Sequence, residues 1–285
     1  MDESGAGGRK ALTADSTAAR AARLAEAAVS ALVEAVALTP TPGLTDRAGP
    51  GPGAPDAATA RWAALALRPG LAAMAGAAAR TGAATGRLRE ELGAIGRAAE
   101  RTARVAACGN RQHRGAVWAL GLLVSAAALD EGAAAAEVTA TARSLALLRD
   151  HGAPRVPSPG SSVSARYGAA GAKGEARAGF PHARRALEAL RGSRGRGTDE
   201  EDARLDALLG VMSTLQDTGL LYRAGPHGLR LVQSGARTVL DAGGTGTATG
   251  REALYALDEE LRSRGLRAGG SEPLFAAALF LDRIC

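Results

Sequence analysis

The sequence predicts an all-α protein, a single compact domain built from many helices. Hydrophobic residues make up 46% of the 285 residues and aromatic residues only 3%, and abundant alanine favours helices that pack closely through small side chains. Leucine and valine recur at three- and four-residue steps, the spacing of one helix face. No segment shows the alternating β-branched pattern of a strand. We therefore expect helices throughout, with the polar clusters that carry function at their ends.

Proline, glycine and capping residues divide this pattern into elements. The first helix is expected over residues 16–38 and ends before Thr39-Pro40-Thr41-Pro42-Gly43, because proline cannot donate a helical hydrogen bond. Asp56 or Thr59 is expected to cap the next helix, and Ser271 the last one, which runs through Ile284. The apolar segment 112–129 is the expected central helix. Further helices are expected over residues 86–107, 134–150, 181–190, 201–215, 228–240 and 251–264.

Domain organisation and compartment follow from composition. Residues 1–15 are expected to form a disordered tail and residues 16–285 one helical domain, with a flexible linker near 192–200, where Gly and Arg alternate. The N-terminus lacks the apolar segment of a signal peptide. The apolar run 116–129 is shorter than the about 20 residues that span a bilayer. Cys108 and Cys285 form no metal-binding spacing. We expect a cytoplasmic protein with no membrane partner.

The charge balance favours an anionic partner. The formal net charge is +6 and the pI is near 10.1, which suits a nucleotide, a polyphosphate or nucleic acid. A GC-rich coding bias toward arginine and alanine would explain the same composition. Because the positive charge is not gathered in one block, the sequence argues against nucleic acid.

The segment 164–181 is the most informative part of the chain. It contains Arg166, Tyr167, Lys173, Glu175 and Arg177 together with four glycines. We expect a loop, because glycine lets the backbone approach a ligand closely and Arg or Lys beside it suits phosphate. A single carboxylate in this cationic setting could act as a base or hold a cation.

Similar polar clusters occur elsewhere at predicted helix ends, over residues 34–47, 109–123, 217–225 and 269–271. Together with 164–181, these motifs resemble the triphosphoribosyl-dephospho-CoA synthases. The most specific piece is Arg166-Tyr167-Gly168 through Gly171, Glu175 and Gly179-Phe180-Pro181. His113-Arg114-Gly115 with Leu120-Gly121-Leu122-Leu123, and Thr-Pro-x-Pro-Gly-Leu-x-Asp-Arg at 39–47, add independent matches. The ending Ala276 to Ile284 is most similar to the malonate decarboxylase branch.

The resemblance implies a pentosyl transfer by an all-helical enzyme. The family takes ATP and 3′-dephospho-CoA, expels adenine, and joins C1 of the ATP ribose to the 2′-hydroxyl of the acceptor. The product is the prosthetic-group precursor for an acyl-carrier subunit of malonate decarboxylase or citrate lyase. A carboxylate near C1 would stabilise oxocarbenium character, and the acceptor hydroxyl needs a base. The triphosphate needs cations, backbone amides or a divalent metal such as Mg²⁺.

The motifs assign candidate residues to these roles. Glu175 is the expected base or oxocarbenium stabiliser, with Glu34 and Asp46 as further carboxylates. His113 is the expected acid toward adenine or a phosphate contact. Asp46 and Asp217 are the metal candidates, and Asp217 could instead hold a ribose hydroxyl. The substrate-binding candidates are Asp46, Arg47, Arg114, Arg166, Tyr167, Lys173, Asp217, Arg223 and Ser271.

Structural roles remain open for the same residues. Glu175 could pair with Arg177 or Arg166, and Glu34 with Arg47. His113 could be a helix cap and Asp217 the start of a turn. Trp62 and Trp118 fit a core better than an adenine platform, and His151, His182 and His227 have no metal-ligand spacing.

The chain also departs from the family pattern. Thr41 stands where members carry Lys, Pro55 replaces a histidine, and Arg111-Gln112 replace Asn-Thr. Gly219 and Ala224 stand for Asn and Gly, and Glu272-Pro273 for Ala-Asp. These changes leave open a divergent or weakened enzyme, an altered acceptor, or two other functions. One is a nucleotide-binding protein without the chemistry. The other is an interaction protein whose basic helix, Arg87 to Arg104, meets an acidic partner or RNA.

Overall fold

The computed structural model describes residues 14–46, 49–51, 54–109, 114–154 and 159–285, and every regular element within them is a helix. The helices are α1 (Ala14–Ala37), α2 (Ala57–Leu65), α3 (Arg68–Thr81), α4 (Gly86–Ala106), α5 (Arg114–Leu129), α6 (Ala135–Leu147), α7 (Pro159–Tyr167), α8 (Gly171–Arg177), α9 (Pro181–Gly195), α10 (Glu200–Met212), α11 (Thr218–Asp241), α12 (Ala248–Ser263) and α13 (Ser271–Ile284). The predicted all-α fold is confirmed.

Two apolar helices, α5 and α13, form the centre of the core. Leu120 and Leu123 on α5, and Phe275 and Phe280 on α13, are at most 1% exposed. Helices α1, α3, α4 and α6 pack around α5, whereas α1, α9 and α10 pack around α13. The predicted central helix is therefore confirmed, with its start at Arg114, and the C-terminal helix shares its position.

Small residues set how closely the helices approach, as the scarcity of aromatic residues predicts. Gly121 on α5 faces Met74 on α3, and a Cβ atom at Gly121 would lie 2.5 Å from Met74 Cε. Buried alanines line α1, α3, α5 and α13. Because each contact is small, the core depends on tight packing over many contacts rather than on a few large side chains.

Of the two predicted helix caps, one is observed and one is not. Asp56 caps α2 as predicted, since its Oδ1 accepts the Thr59 N–H at 2.7 Å. Ser271, in contrast, is the first residue of α13, and Gly270 precedes it without a side-chain cap. The prediction that Ser271 caps α13 was wrong, because Ser271 already lies within the helix, and the N–H of Gly270 before it is bound by Asp217, the residue that precedes α11.

Three elements differ in extent from the prediction. The segment 164–181 is not a loop but contains the end of α7 and all of α8. Helix α9 continues through Gly195, so only residues 196–199 connect it to α10, and the flexibility of this connection stays a prediction. Helix α11 begins at Thr218, ten residues before the predicted start at residue 228. The helical path continues past Pro226 because Gly225, at a φ of 65°, accommodates the kink there. The predicted tail lies outside the described residues except for residues 14 and 15, which begin α1.

One stretch, Ala57–Thr81, is long and apolar enough by length and composition to cross a membrane, with a mean hydropathy of 1.2. It spans α2 and α3, which are separated at Ala66-Leu67. Leu67, Leu71 and Ala75 of this stretch are buried in the protein core. Helix α3 packs on α1, α4 and α5, so the apolarity of the stretch is accounted for by the core.

We expect Leu120→Ala to lower the free energy of unfolding by about 2–5 kcal/mol, because it leaves a cavity between α3, α5 and α13. Leu147→Ala is the matched control, since Leu147 is 50% exposed and should change stability by no more than about 0.5 kcal/mol. Urea unfolding followed by circular dichroism measures both. Equal losses from the two variants would contradict the described core.

Candidate active site

The starts of four helices lie together at one end of the core. A Cβ atom at Gly115 would lie 3.3 Å from Pro273 Cγ, so α5 and α13 begin side by side. The N–H of Gly270, before α13, donates to Asp217, before α11. A Cβ atom at Gly171 would lie 3.2 Å from Thr218 Cγ2, which joins the start of α8 to that of α11. Four of the polar motifs, at 109–123, 164–181, 217–225 and 269–271, therefore meet in space.

Asp217 is the link between α11 and α13. The residue is 4% exposed. Its Oδ1 accepts the N–H groups of Gly219 at 2.7 Å and Leu220 at 3.2 Å, and its Oδ2 accepts the Gly270 N–H at 2.8 Å. Asp217 is thus the N-cap of α11, which is the structural alternative that the sequence left open.

Two arginines and a second carboxylate border this link. Arg223 Nη2 donates to the Arg267 carbonyl at 3.0 Å. Arg267 and Glu272 approach to 3.8 Å, with side chains 13% and 4% exposed. Burial lowers the pKa of Arg267, and the Glu272 carboxylate opposes that shift. Because arginine remains a cation at neutral pH, the end of the core where α11 and α13 begin carries charge of both signs.

Helix α8 is held against α5 by Trp118. The indole Nε1 donates to the Ala172 carbonyl at 3.0 Å, and the Arg89 guanidinium lies over the ring at 4.9 Å from its centroid. Trp118 is packed against the core as predicted, and the guanidinium covers one ring face. Trp62, for which the sequence predicted the same role, is 65% exposed, so the prediction of a core position was wrong for Trp62.

Glu175 pairs with His182, a residue that the sequence analysis set aside. Its Oε1 accepts the His182 backbone N–H at 2.8 Å, and its Oε2 lies 2.7 Å from His182 Nδ1. The Glu175 side chain is 6% exposed and that of His182 20%. The alternative that the sequence left open, pairing with Arg177 or Arg166, is replaced by pairing with His182, because the chain turns back on itself directly after α8.

The Gly179-Phe180-Pro181 motif builds that turn. Gly179 and Phe180 both have positive φ angles, 82° and 57°. The Phe180 N–H donates to the Glu175 carbonyl at 2.9 Å, and Phe180 itself is completely buried. Pro181 then starts α9 with a preset φ angle. The turn places His182, the second residue of α9, beside the Glu175 carboxylate. The sequence signal for this contact was the spacing from Glu175 to His182 across the glycine and proline turn.

The turn at 39–46 is closed by α12. The buried Asp46 Oδ2 accepts the Thr41 N–H at 2.9 Å and lies 3.4 Å from Arg262 Nη2. Arg262 also binds both oxygens of Asp258, at 2.9 and 2.8 Å. A Cβ atom at Gly43 would lie 2.6 Å from the Leu266 carbonyl. The turn therefore borders the segment that leads into α13, and Asp46 organises its backbone.

Glu34, on α1, contacts α13 away from this end of the core. Its Oε1 accepts a hydrogen bond from Arg283 at 2.6 Å, and its Oε2 lies 3.4 Å from Arg204 Nη2. Arg283 is in the last turn of α13, whereas Asp217 contacts Gly270 at its start. The two carboxylates therefore contact opposite ends of one helix. The partners of Glu34 are these arginines.

The remaining candidates fall into three groups. Arg166 and Lys173 are exposed, and Arg166 lies 5.2 Å from the centroid of the Tyr167 ring. Ser271 is 1% exposed, and its Oγ has no hydrogen-bond partner among the described residues. His113 and Arg47 lie outside the described residues, and of Arg114 only the backbone, at the start of α5, is described.

The carboxylates do not build a metal cage. Within the described parts of the chain, no three His, Cys, Asp or Glu side chains converge. Asp46 and Asp217 both accept backbone N–H groups through each carboxylate oxygen. The described residues around Asp46 and Asp217 therefore do not fit a resident metal ion.

Two departures from the family motifs have structural consequences. Thr41 is 1% exposed, and its Oγ1 has no hydrogen-bond partner among the described residues. Glu272 is buried beside Arg267 rather than exposed at the helix start. The carboxylate at this position therefore neutralises a buried arginine.

Comparison with known proteins defines the class of this one. The model of the family described as ATP:dephospho-CoA triphosphoribosyl transferase (CitG) matches residues 21–285. The chain belongs to this family, and it is an enzyme of the transferase class. No solved structure matches it significantly.

Curated relatives cover nearly the whole chain. A protein of Pseudomonas fluorescens (strain Pf0-1) is 48% identical over 267 residues, 93% of this chain and 92% of the relative. One of Stutzerimonas stutzeri (strain A1501) is 46% identical over 277 residues, 96% of each. One of Pseudomonas aeruginosa (strain UCBPP-PA14) is 47% identical over 264 residues, 92% of this chain and 90% of the relative. Each is named probable 2-(5''-triphosphoribosyl)-3'-dephosphocoenzyme-A synthase.

We expect Asp217→Asn to lower the free energy of unfolding by about 1–3 kcal/mol. The amide oxygen can still cap α11, but the amide nitrogen would face the Gly270 N–H, and the buried donor would lose its acceptor. Asp241→Asn, at the exposed end of α11, is the control and should leave stability unchanged. Thermal unfolding measures both. A stable Asp217→Asn protein that no longer binds nucleotide would instead identify Asp217 as a ligand-binding residue.

Proposed function

We propose that this protein transfers the triphosphoribosyl group of ATP to the 2′-hydroxyl of 3′-dephospho-CoA and releases adenine. The observation that carries the proposal is the meeting of the family motifs at one end of the core. Segments 115–118, 171–175, 217–220 and 270–273 are far apart in sequence, and contacts between them join the starts of four helices.

The chemistry of this end suits the substrates. Helix starts favour anions because their N–H groups and dipoles point outward. Lys173, Arg166 and Arg223 are exposed cations on the converging helices α7, α8 and α11 and can contact a triphosphate. Glu175 provides a carboxylate on α8, two residues after Lys173, which suits a reaction centre beside the phosphates.

The product is proposed to be the prosthetic-group precursor for malonate decarboxylase, following the similarity of the ending Ala276 to Ile284, with citrate lyase as the alternative. We place the reaction in the cytoplasm, where ATP is abundant. Mg²⁺ is proposed to enter with the triphosphate.

The interaction-protein alternative loses part of its support. Of the arginines on α4, Arg89 is 5% exposed and lies 3.7 Å from Asp150. Arg97 donates to the same carboxylate at 2.7 Å. Two cations of the proposed basic face are therefore engaged inside the protein. A nucleotide-binding protein without the chemistry remains the competing function, and the assay below separates the two.

Incubation with ATP and 3′-dephospho-CoA should release adenine and yield the triphosphoribosyl product, as measured by chromatography. ATP alone should give much less adenine, because no acceptor hydroxyl is present. ATP-dependent stabilisation without adenine release would favour the binding protein. Absence of both would contradict the proposal.

We expect Lys173→Ala to weaken ATP binding by about 10-fold, since one exposed cation is lost from the phosphate contacts. The binding constant follows from the rise in melting temperature with ATP concentration, because a ligand of the folded state stabilises it by RT ln(1 + [L]/Kd). Arg237→Ala, exposed near the far end of α11, should bind ATP as the unchanged protein does. Unchanged binding by Lys173→Ala would exclude Lys173 from the phosphate site.

A further inference from the structure

We propose that His182 is the general base that removes the proton from the acceptor 2′-hydroxyl, and that Glu175 is the residue that positions it. This inference rests on the proposed function and assigns the base within it. It also changes the role expected of Glu175, from direct contact with the reacting atoms to action through the imidazole.

The two hydrogen bonds determine the tautomer of His182. A carboxylate oxygen only accepts hydrogen bonds, so Nδ1, at 2.7 Å from Glu175 Oε2, must carry the proton. The neutral ring then has an unprotonated Nε2 with a free lone pair. A carboxylate that holds Nδ1–H in this way orients the ring and stabilises the imidazolium that forms when Nε2 accepts a proton.

The second hydrogen bond fixes the carboxylate itself. Glu175 Oε1 accepts the His182 backbone N–H at 2.8 Å, so the two oxygens hold one residue at its main chain and at its ring. Such a double attachment leaves the carboxylate little freedom to rotate. It is more than surface ion pairing requires, and it suits a residue whose ring must keep one orientation.

The two side chains differ in solvent exposure, and this difference indicates which of them can reach a substrate. Glu175 is 6% exposed, whereas His182 is 20% exposed. Because the Nδ1 edge of the ring is covered by the carboxylate, we infer that the exposed part includes the opposite edge, which carries Nε2. Glu175 is therefore shielded from a substrate that the imidazole can reach.

The pair lies one helical turn from the converging helix starts. A Cβ atom at Gly171, the first residue of α8, would lie 3.2 Å from Thr218 Cγ2 at the start of α11. Glu175 follows four residues later on α8, about 6 Å further along the helix axis. The Glu175–His182 pair is therefore close to the contact that joins α8 to α11.

The proposed step balances as follows. His182 Nε2 takes the proton of the acceptor 2′-hydroxyl, and the oxygen lone pair forms a bond to C1 of the ATP ribose. The bond from C1 to the adenine nitrogen breaks, and its electron pair stays on adenine. Adenine takes up a proton from solvent, and the imidazolium returns its proton to solvent. No oxidant or further reactant is needed.

The main test compares His182→Asn and Glu175→Gln in the transfer assay. Removal of a general base typically costs about 10²–10⁴ in rate, so we expect kcat for His182→Asn to fall at least 100-fold while the ATP binding constant stays within about 2-fold. In Glu175→Gln the amide N–H₂ group can turn toward Nδ1 and favour the tautomer with a protonated Nε2. We expect a similar loss of kcat, again with binding retained.

The double variant distinguishes a positioned base from two independent groups. If the pair acts as a unit, the double variant should be no more than about 3-fold slower than the slower single variant, because effects of groups that act together are not additive. If Glu175 stabilises the oxocarbenium ion directly, the two losses should multiply, and the proposal is overturned.

His151 and Glu90 offer a matched control. His151 Nδ1 lies 2.5 Å from Glu90 Oε1, and both side chains are largely exposed, at 67% and 46%. His151→Asn should therefore leave kcat, ATP binding and melting temperature unchanged. Equal losses of kcat from His151→Asn and His182→Asn would show that the assay reports general destabilisation, and would overturn the assignment.

A rescue experiment addresses folding. His182→Gly in the presence of free imidazole should regain at least 10-fold in kcat, because the added base can occupy the vacated space. A purely structural histidine would give a lower melting temperature with no rescue of kcat by imidazole, against the proposal. If the unchanged protein releases no adenine, the proposed function fails. If it does and His182→Asn is as fast, only the inference about His182 fails.

Discussion

The arrangement of the site depends on one buried carboxylate. Asp217 accepts N–H groups from Gly219 and Leu220 on one side and from Gly270 on the other. Burial of a carboxylate without such partners would cost free energy. The hydrogen bonds that Asp217 accepts therefore hold the starts of α11 and α13 together. The positions of Arg223, Arg267 and Glu272 follow from that link, because all three flank it in the chain and contact one another.

The core explains why polar groups gather at this end. Helices α5 and α13 are apolar nearly all round and pack side by side, with Gly115 against Pro273 at their starts. Helices of this kind offer no place for charge along their length, and backbone N–H groups are left over only where they begin. The carboxylates, arginines and small residues of the motifs therefore collect at the helix ends, where Asp217 accepts three of these N–H groups.

The Gly179-Phe180-Pro181 turn is a second local feature that determines the geometry of the site. Phe180 adopts a left-handed backbone conformation that is uncommon for a bulky residue, and its complete burial stabilises a turn that would otherwise be strained. The turn returns the chain so that His182 meets Glu175 twice. Conformational strain, core packing and the geometry of a candidate base are thus connected within eight residues of the chain, from 175 to 182.

The sequence by itself determined the all-α class, the apolar helices α5 and α13, the cap at Asp56 and the family. These depend on local periodicity, turn residues and motif order, which neighbouring residues specify. Tertiary structure decided the partners of the charged groups: Glu175 with His182, Glu34 with Arg283, and Asp217 with Gly270. Spacing along the chain carries no information about such contacts where a turn or a distant helix supplies the partner. The helical state of 164–167 and 171–177 was missed for a related reason, since contacts with Trp118 and Thr218 outweigh the low helix propensity of glycine.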